Sequence, residues 1–172
     1  MSSIYFKFND MIIDSNHVSK LVVDNSYQLV KVKKVEVNVN YKNNIVKAIY
    51  ALQLMFGRKA LIIKAKKSVA SFNLREGTIV SYKITLQRRE TYDFLNILSK
   101  KVLPRLNTKH IYVDPKCNIN IGIADIKIFP QVSSEYDRIS ANIGANISIM
   151  LNNLDKRNSS LFLSDLLKYP IK

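Results

Sequence analysis

Four stretches of this chain alternate apolar and polar residues with a period of two, and a chain so patterned has to build a half-buried sheet. Val35, Val37, Val39 and Tyr41 alternate with Lys34, Glu36, Asn38 and Asn40, and Val80, Tyr82, Ile84 and Leu86 alternate with Ser81, Lys83, Thr85 and Gln87. Ile119, Ile121 and Ile123 alternate with Asn118, Asn120 and Gly122, and Ile143, Ala145, Ile147, Ile149 and Leu151 with Gly144, Asn146, Ser148 and Met150. Successive side chains of a strand point to opposite faces, so each run offers one face to a core and the other to water.

Helical periodicity lies between these runs. Ile45, Ala48, Ile49, Leu52, Met55 and Phe56 recur at three- and four-residue spacing, with Asn43 or Asn44 placed to cap the start and Gly57 to stop the end. A second helix is expected from about Glu90 to Val102, with Leu95, Leu98 and Val102 on one stripe and Phe94 beside it. Its acids Glu90 and Asp93 come early, its bases Lys100, Lys101 and Arg105 late, and Pro104 helps to end it. Lys59 to Ala65 predicts a short apolar strand, 107–117 a loop around Asp114-Pro115, and 129–138 an irregular segment. Short helices are expected around His17 to Val23 and from Ser160 to Tyr169. Residues 1–31 form a weakly patterned N-terminal extension, and the whole chain, 1–172, is expected to be one domain. The element order predicts an α+β fold: a largely antiparallel sheet with helices packed on one face and a polar face opposite.

Between two of the strands runs Lys64-Ala-Lys-Lys-Ser-Val-Ala-Ser-Phe-Asn-Leu-Arg-Glu-Gly77, a long basic loop with one aromatic residue. The balance of the whole chain, 27 Lys plus Arg against 13 Asp plus Glu, gives a net charge of +14 and makes nucleic acid the default partner. The outward positions of the strands, among them Glu36, Asn38, Asn40, Ser81, Lys83, Thr85, Gln87, Asn118, Asn120, Asn146 and Ser148, are mostly amides and hydroxyls, groups that bond phosphate, ribose and base edges. The alternative is a merely solvated sheet face. With few aromatics to stack bases on that face, shape recognition of folded RNA fits better than capture of a bare single strand. In the loop, Lys66, Lys67 and Arg75 suit phosphates, while Phe72 either stacks on a nucleotide or tucks back as an anchor, the anchor being preferred.

Other chemistries find little support. The single Cys117 allows no internal disulfide and no multi-thiolate zinc site, and His17 and His110 stand far apart, so no metal or other cofactor is expected. Asp10, Asp14, Asp24, Glu135 and Asp137 have no His-Glu, Cys-His or phosphate-loop company and are read as solvated or ion-paired rather than catalytic. An RNA-processing enzyme is the competing class. No run of about 18 uncharged apolar residues appears, so no membrane partner is expected. The first residues show neither a secretory core nor an Arg-rich transit pattern.

The run Lys64 to Gly77, followed by Tyr82-Lys-Ile-Thr-Leu86, Tyr92-Asp-Phe-Leu95 and Leu103-Pro-Arg105, closely resembles the large-subunit ribosomal protein family numbered five, the binder of 5S ribosomal RNA. Ile121-Gly-Ile123, Ile128-Phe-Pro130 and Asp137-Arg138 are similar to that family's closing motifs, in the same order, and the resemblance runs from about Val35 to the C-terminus. Family members carry Gly and Lys where Ser71 and Asn73 stand, Gly-Gln-Lys where Gly57-Arg58-Lys59 stands, and Arg-Gly where Gln87-Arg88 stands.

The resemblance implies an antiparallel sheet with helices on one side and a place in the central protuberance, among large-subunit ribosomal RNA, with no catalytic role. It implies that the polar face holds 5S ribosomal RNA: Asn38 and Thr85 match family contact positions, with Asn40, Arg58, Lys83 and Gln87 as further candidates. It further implies that the loop, through Lys66, Lys67, Ser68, Phe72, Asn73 and Arg75, reaches peptidyl-site transfer RNA, and that another edge meets a small-subunit head protein across an intersubunit bridge. A free RNA-binding or ribosome-assembly factor on the same fold is the alternative. The Ile, Lys and Asn bias suggests an organellar gene, expected in the mitochondrial matrix before a plastid or bacterial cytoplasm.

Overall fold

The alternating runs become strands of one six-stranded antiparallel sheet. In the computed structural model, which describes residues 31–40, 45–106, 111–114, 118–139 and 142–152, the strands are β1 (Val32–Val39), β2 (Leu61–Lys64), β3 (Ile79–Leu86), β4 (Ile111–Val113), β5 (Ile119–Ile123) and β6 (Ala145–Leu151). Their order across the sheet is β2-β3-β1-β6-β5-β4. With the helices α1 (Ile45–Phe56), α2 (Arg89–Ile97), α3 (Pro130–Ser133) and α4 (Tyr136–Ile139), the fold is α+β, as expected. The expected helices at His17–Val23 and Ser160–Tyr169 lie outside the described residues.

The chain divides into two compact units. The first draws its described residues from Met1–Val35, Leu86–Ile121 and Ser148–Lys172. Its core joins Val35, Leu86, Ile119, Ile121, Ile149 and Leu151 of the strands to Phe94, Leu95, Leu98, Val102 and Leu103. After Ile97 the helix widens into a π turn, Leu98–Val102, and tightens into a 3₁₀ turn, Leu103–Arg105. Pro104 is the cause available: it has no N–H for the carbonyl four residues back, and its ring crowds that carbonyl.

The second unit comprises Glu36–Thr85 and Gly122–Ile147. Val37, Val39, Tyr82, Ile84, Ile123, Ala145 and Ile147 supply its buried sheet face, and Ala48, Ala51 and Leu52 of α1 its helical side. Burying one such side chain contributes about 1.5–3 kcal/mol, so these alternations carry the fold. Gly57 ends α1 as expected, in the left-handed region at φ 65°, donating to the Gln53 carbonyl at 2.7 Å. The segment expected to be irregular holds α3 and α4: Pro130 opens α3 with its preset φ, while Phe129 and Val132 fill the core.

Two expectations need correction. The segment 107–117 contains a strand, because Ile111, Tyr112 and Val113 pair antiparallel with Ile121, Asn120 and Ile119, and the Asp114 N–H donates to the Asn118 carbonyl at 2.8 Å. Three residues are too few to display a period. β2 is a strand but hardly an apolar core element: at the end of the sheet order, Leu61 and Ile62 are 67% and 43% exposed. A break in register between Ile63 and Lys64 interrupts its pairing with β3, as is common at sheet edges.

Candidate nucleic-acid interface

The basic loop leaves β2 and returns to β3 within the second unit, and it is folded along its length. At its base the Ala65 N–H donates to the Thr78 carbonyl (2.8 Å) and the Gly77 N–H to the Ala65 carbonyl (3.0 Å). Farther out, Val69 and Leu74 exchange backbone bonds of 2.9 and 3.2 Å, closing a small antiparallel bridge. Beyond it, Ala70–Phe72 makes a 3₁₀ turn, ended by Asn73 in the left-handed conformation (φ 51°, ψ 36°), whose N–H donates to the Ala70 carbonyl. Asn tolerates that conformation better than most residues. Two hydroxyls brace the return: Ser68 Oγ accepts from the Glu76 N–H at 3.0 Å, and Thr78 Oγ1 donates to the Arg75 carbonyl at 2.7 Å.

Phe72 sits at the tip and is 69% exposed, so the preferred expectation of an inward anchor is overturned. The backbone bridge already closes the loop, and no aromatic pin is needed. Lys66, Lys67 and Arg75 are exposed on the same hairpin. Of the loop candidates, Ser68 is engaged internally and Asn73 serves the turn, leaving the three cations and Phe72 facing solvent.

On the strands of the second unit, Asn38, Lys83 and Thr85 occupy the positions opposite the buried Val37, Val39, Tyr82 and Ile84. This side is less wet than alternation suggests. Glu36 is 7% and Ser81 8% exposed, and Lys83 Nζ lies 2.6 Å from Glu36 Oε2. Lys83 is thus a partnered cation within an amide-and-hydroxyl surface. Asn40 ends β1 exposed, and Arg58 is exposed just beyond Gly57. An open recess of about 190 Å³ is lined by Asn38, Asn40, Asn146, Gly144, Ala145 and Ile123. Asn38 Oδ1 is buried and has no hydrogen-bond partner. Sequence reasoning could not see these amides converge, because nothing in the sequence says that β6 lies beside β1.

In the first unit, Gln87 is exposed where β3 ends, and Ser148 Oγ bonds Asn120 Oδ1 at 2.6 Å, so those two polar strand positions satisfy one another. Arg88 follows with φ 54° and ψ −126°, a conformation that suits glycine.

The acids behave as ion-paired or solvated groups. Glu135 Oε2 lies 3.3 Å from Arg138, whose guanidinium also donates to the Tyr50 hydroxyl at 3.4 Å, and Asp137 is exposed. The Tyr50 hydrogen bond, reinforced by the Glu135 charge, raises the Arg138 pKa further. Among the described residues no three His, Cys, Asp or Glu side chains cluster to hold a metal, and no helix is long and apolar enough to cross a membrane.

This geometry meets a consistent set of similar proteins. Residues 79–169, more than half of the chain, match the model of the ribosomal uL5 family C-terminus. The chain is 30% identical over 168 residues to large ribosomal subunit protein uL5m of Reclinomonas americana, covering 92% of each. It is 35% identical over 155 residues to large ribosomal subunit protein uL5 of Lawsonia intracellularis, covering 84% of this chain and 85% of that one. Against the uL5 of Latilactobacillus sakei the identity is 34% over 143 residues, with coverage of 77% and 78%.

Proposed function

Because the chain belongs to the ribosomal uL5 family, structural proteins of the large ribosomal subunit and not enzymes, we propose that it binds 5S ribosomal RNA in the central protuberance and contacts peptidyl-site transfer RNA. Asn38, Asn40, Arg58, Lys83 and Thr85, with Gln87, are the proposed 5S contacts; Lys66, Lys67, Phe72 and Arg75 are the proposed transfer RNA contacts, supported by Ser68 and Asn73. A further contact to a small-subunit head protein completes the reading. The mitochondrion is the proposed compartment, supported by the uL5m relative.

The observation that carries this proposal is the pairing, within one compact unit, of a closed basic hairpin with an amide-and-hydroxyl strand surface. A hairpin already held by its own backbone bonds loses little conformational freedom on meeting RNA, and its exposed ammonium and guanidinium groups neutralise phosphate. The strand surface offers short, orientable donors and acceptors to ribose and base edges.

The test is co-sedimentation with large subunits, together with 5S RNA binding measured over a salt series. Log affinity should fall linearly with log salt as phosphate counterions are released. A chain that stays in the soluble fraction while ribosomes are intact overturns the reading, and one found only on precursor particles is an assembly factor instead.

A further inference from the structure

We propose that the recess lined by Asn38, Asn40, Gly144 and Asn146 accepts a single unstacked nucleobase that bears an exocyclic amine. This inference rests on the RNA-binding reading and specifies how part of that surface recognises its RNA.

Its starting point is Asn38 Oδ1, a buried acceptor with no donor. A buried polar atom without a partner is costly, and a ligand that supplies the missing donor recovers that cost on binding. The atom borders a recess of about 190 Å³ that is open to solvent. Drug-sized pockets run to about 300–1,000 Å³, so this one has room for one planar heterocycle and not for a length of duplex. Its polar lining is neutral: Asn40 and Asn146 are exposed amides that can each donate and accept, and Gly144 contributes backbone with no side chain.

A phosphate is a poor match, because it is an acceptor and would meet Asn38 Oδ1 acceptor to acceptor. An amine on adenine, cytosine or guanine is the complementary group, and uracil has none. Unpaired bases in RNA loops and bulges expose such edges and are the usual targets of sequence-selective RNA recognition. The hairpin and its cations then supply affinity for any RNA, while the recess supplies preference for an RNA with an extruded base.

The experiment titrates the full chain with three RNA hairpins that differ at one position: fully paired, with one bulged adenosine, and with one bulged purine riboside, which lacks the amine. The bulged adenosine should bind about ten-fold tighter than the bulged purine, as expected when one buried hydrogen bond is made or lost. Asn38→Leu should bring those two affinities within two-fold while leaving binding of the paired hairpin unchanged, with its fold checked by circular dichroism. Equal binding of adenosine and purine by the native chain, or an Asn38→Leu chain that keeps the preference, overturns the recess proposal and leaves the RNA reading standing. Absence of binding to all three hairpins overturns both. If Asn38→Leu does not fold, the adenosine-to-purine ratio of the native chain decides alone.

Discussion

Lys83 reaches Glu36 across neighbouring strands, with Nζ 2.6 Å from Oε2 and the carboxylate side chain 9% exposed. The pair keeps an acidic group within a surface proposed to face RNA by setting a cation against it. Lys83→Met leaves the carboxylate without that ammonium and should destabilise the fold by about 2 kcal/mol, below the range for deeply buried pairs because the Lys83 side chain remains 25% exposed. Adding Glu36→Leu should recover most of the loss. Urea denaturation of both single variants and the double variant checks this, and additive losses would show that the two residues do not couple.

On the hairpin, Lys66→Ala with Lys67→Ala should weaken transfer RNA binding, lower its salt slope by about 1.5 and leave 5S binding within about two-fold. Phe72→Ala should cost about 1–3 kcal/mol of transfer RNA binding if a base stacks there, while the melting temperature stays put because the ring is exposed. Equal loss of 5S and transfer RNA binding would assign the loop to the 5S site.

At Arg88, φ 54° and ψ −126° hold an exposed non-glycine residue in a region that glycine enters without strain. Arg88→Gly should therefore raise stability by about 1 kcal/mol, read as a higher denaturation midpoint at an unchanged slope. A lower midpoint would mean that the guanidinium's own contacts outweigh the strain.

Tyr82 is 1% exposed and its hydroxyl has no partner. Tyr82→Phe removes that unsatisfied group and should be neutral or stabilising by about 1 kcal/mol near neutral pH. Burial raises the phenol pKa above its ordinary value of 10.0. The folded chain thus holds its proton more tightly than the unfolded chain does. Stability from this source is complete below pH 10 and is lost as pH rises beyond it, through the folded-state value. Denaturation at pH 9 and pH 11 should show a smaller alkaline loss for Tyr82→Phe than for the native chain.

The long alternations were legible because each buried residue announces the next: Val35 to Val39, Tyr82 to Leu86 and Ile119 to Ile123 are the core. Where an element is short, that signal disappears, and so Ile111–Val113 read as loop. Phe72 misled because an aromatic residue usually seeks burial, whereas the Val69–Leu74 bridge had already closed the hairpin. The cations and amides of the candidate interface were visible one by one. Their convergence at the Asn38 recess, and the engagement of Lys83 with Glu36, depend on strand order and stayed hidden.

β2 presents Leu61 and Ile62 to solvent on a strand at the end of the sheet order. A strand with apolar side chains and an open row of backbone groups is a template for copies of itself. Ribosome-free chain is therefore the species at risk of aggregation, and its solubility should fall with concentration long before its fold fails. For a cell, the consequence is one of supply: synthesis must stay matched to the assembly of new large subunits, since an unassembled surplus is a hazard and not a reserve.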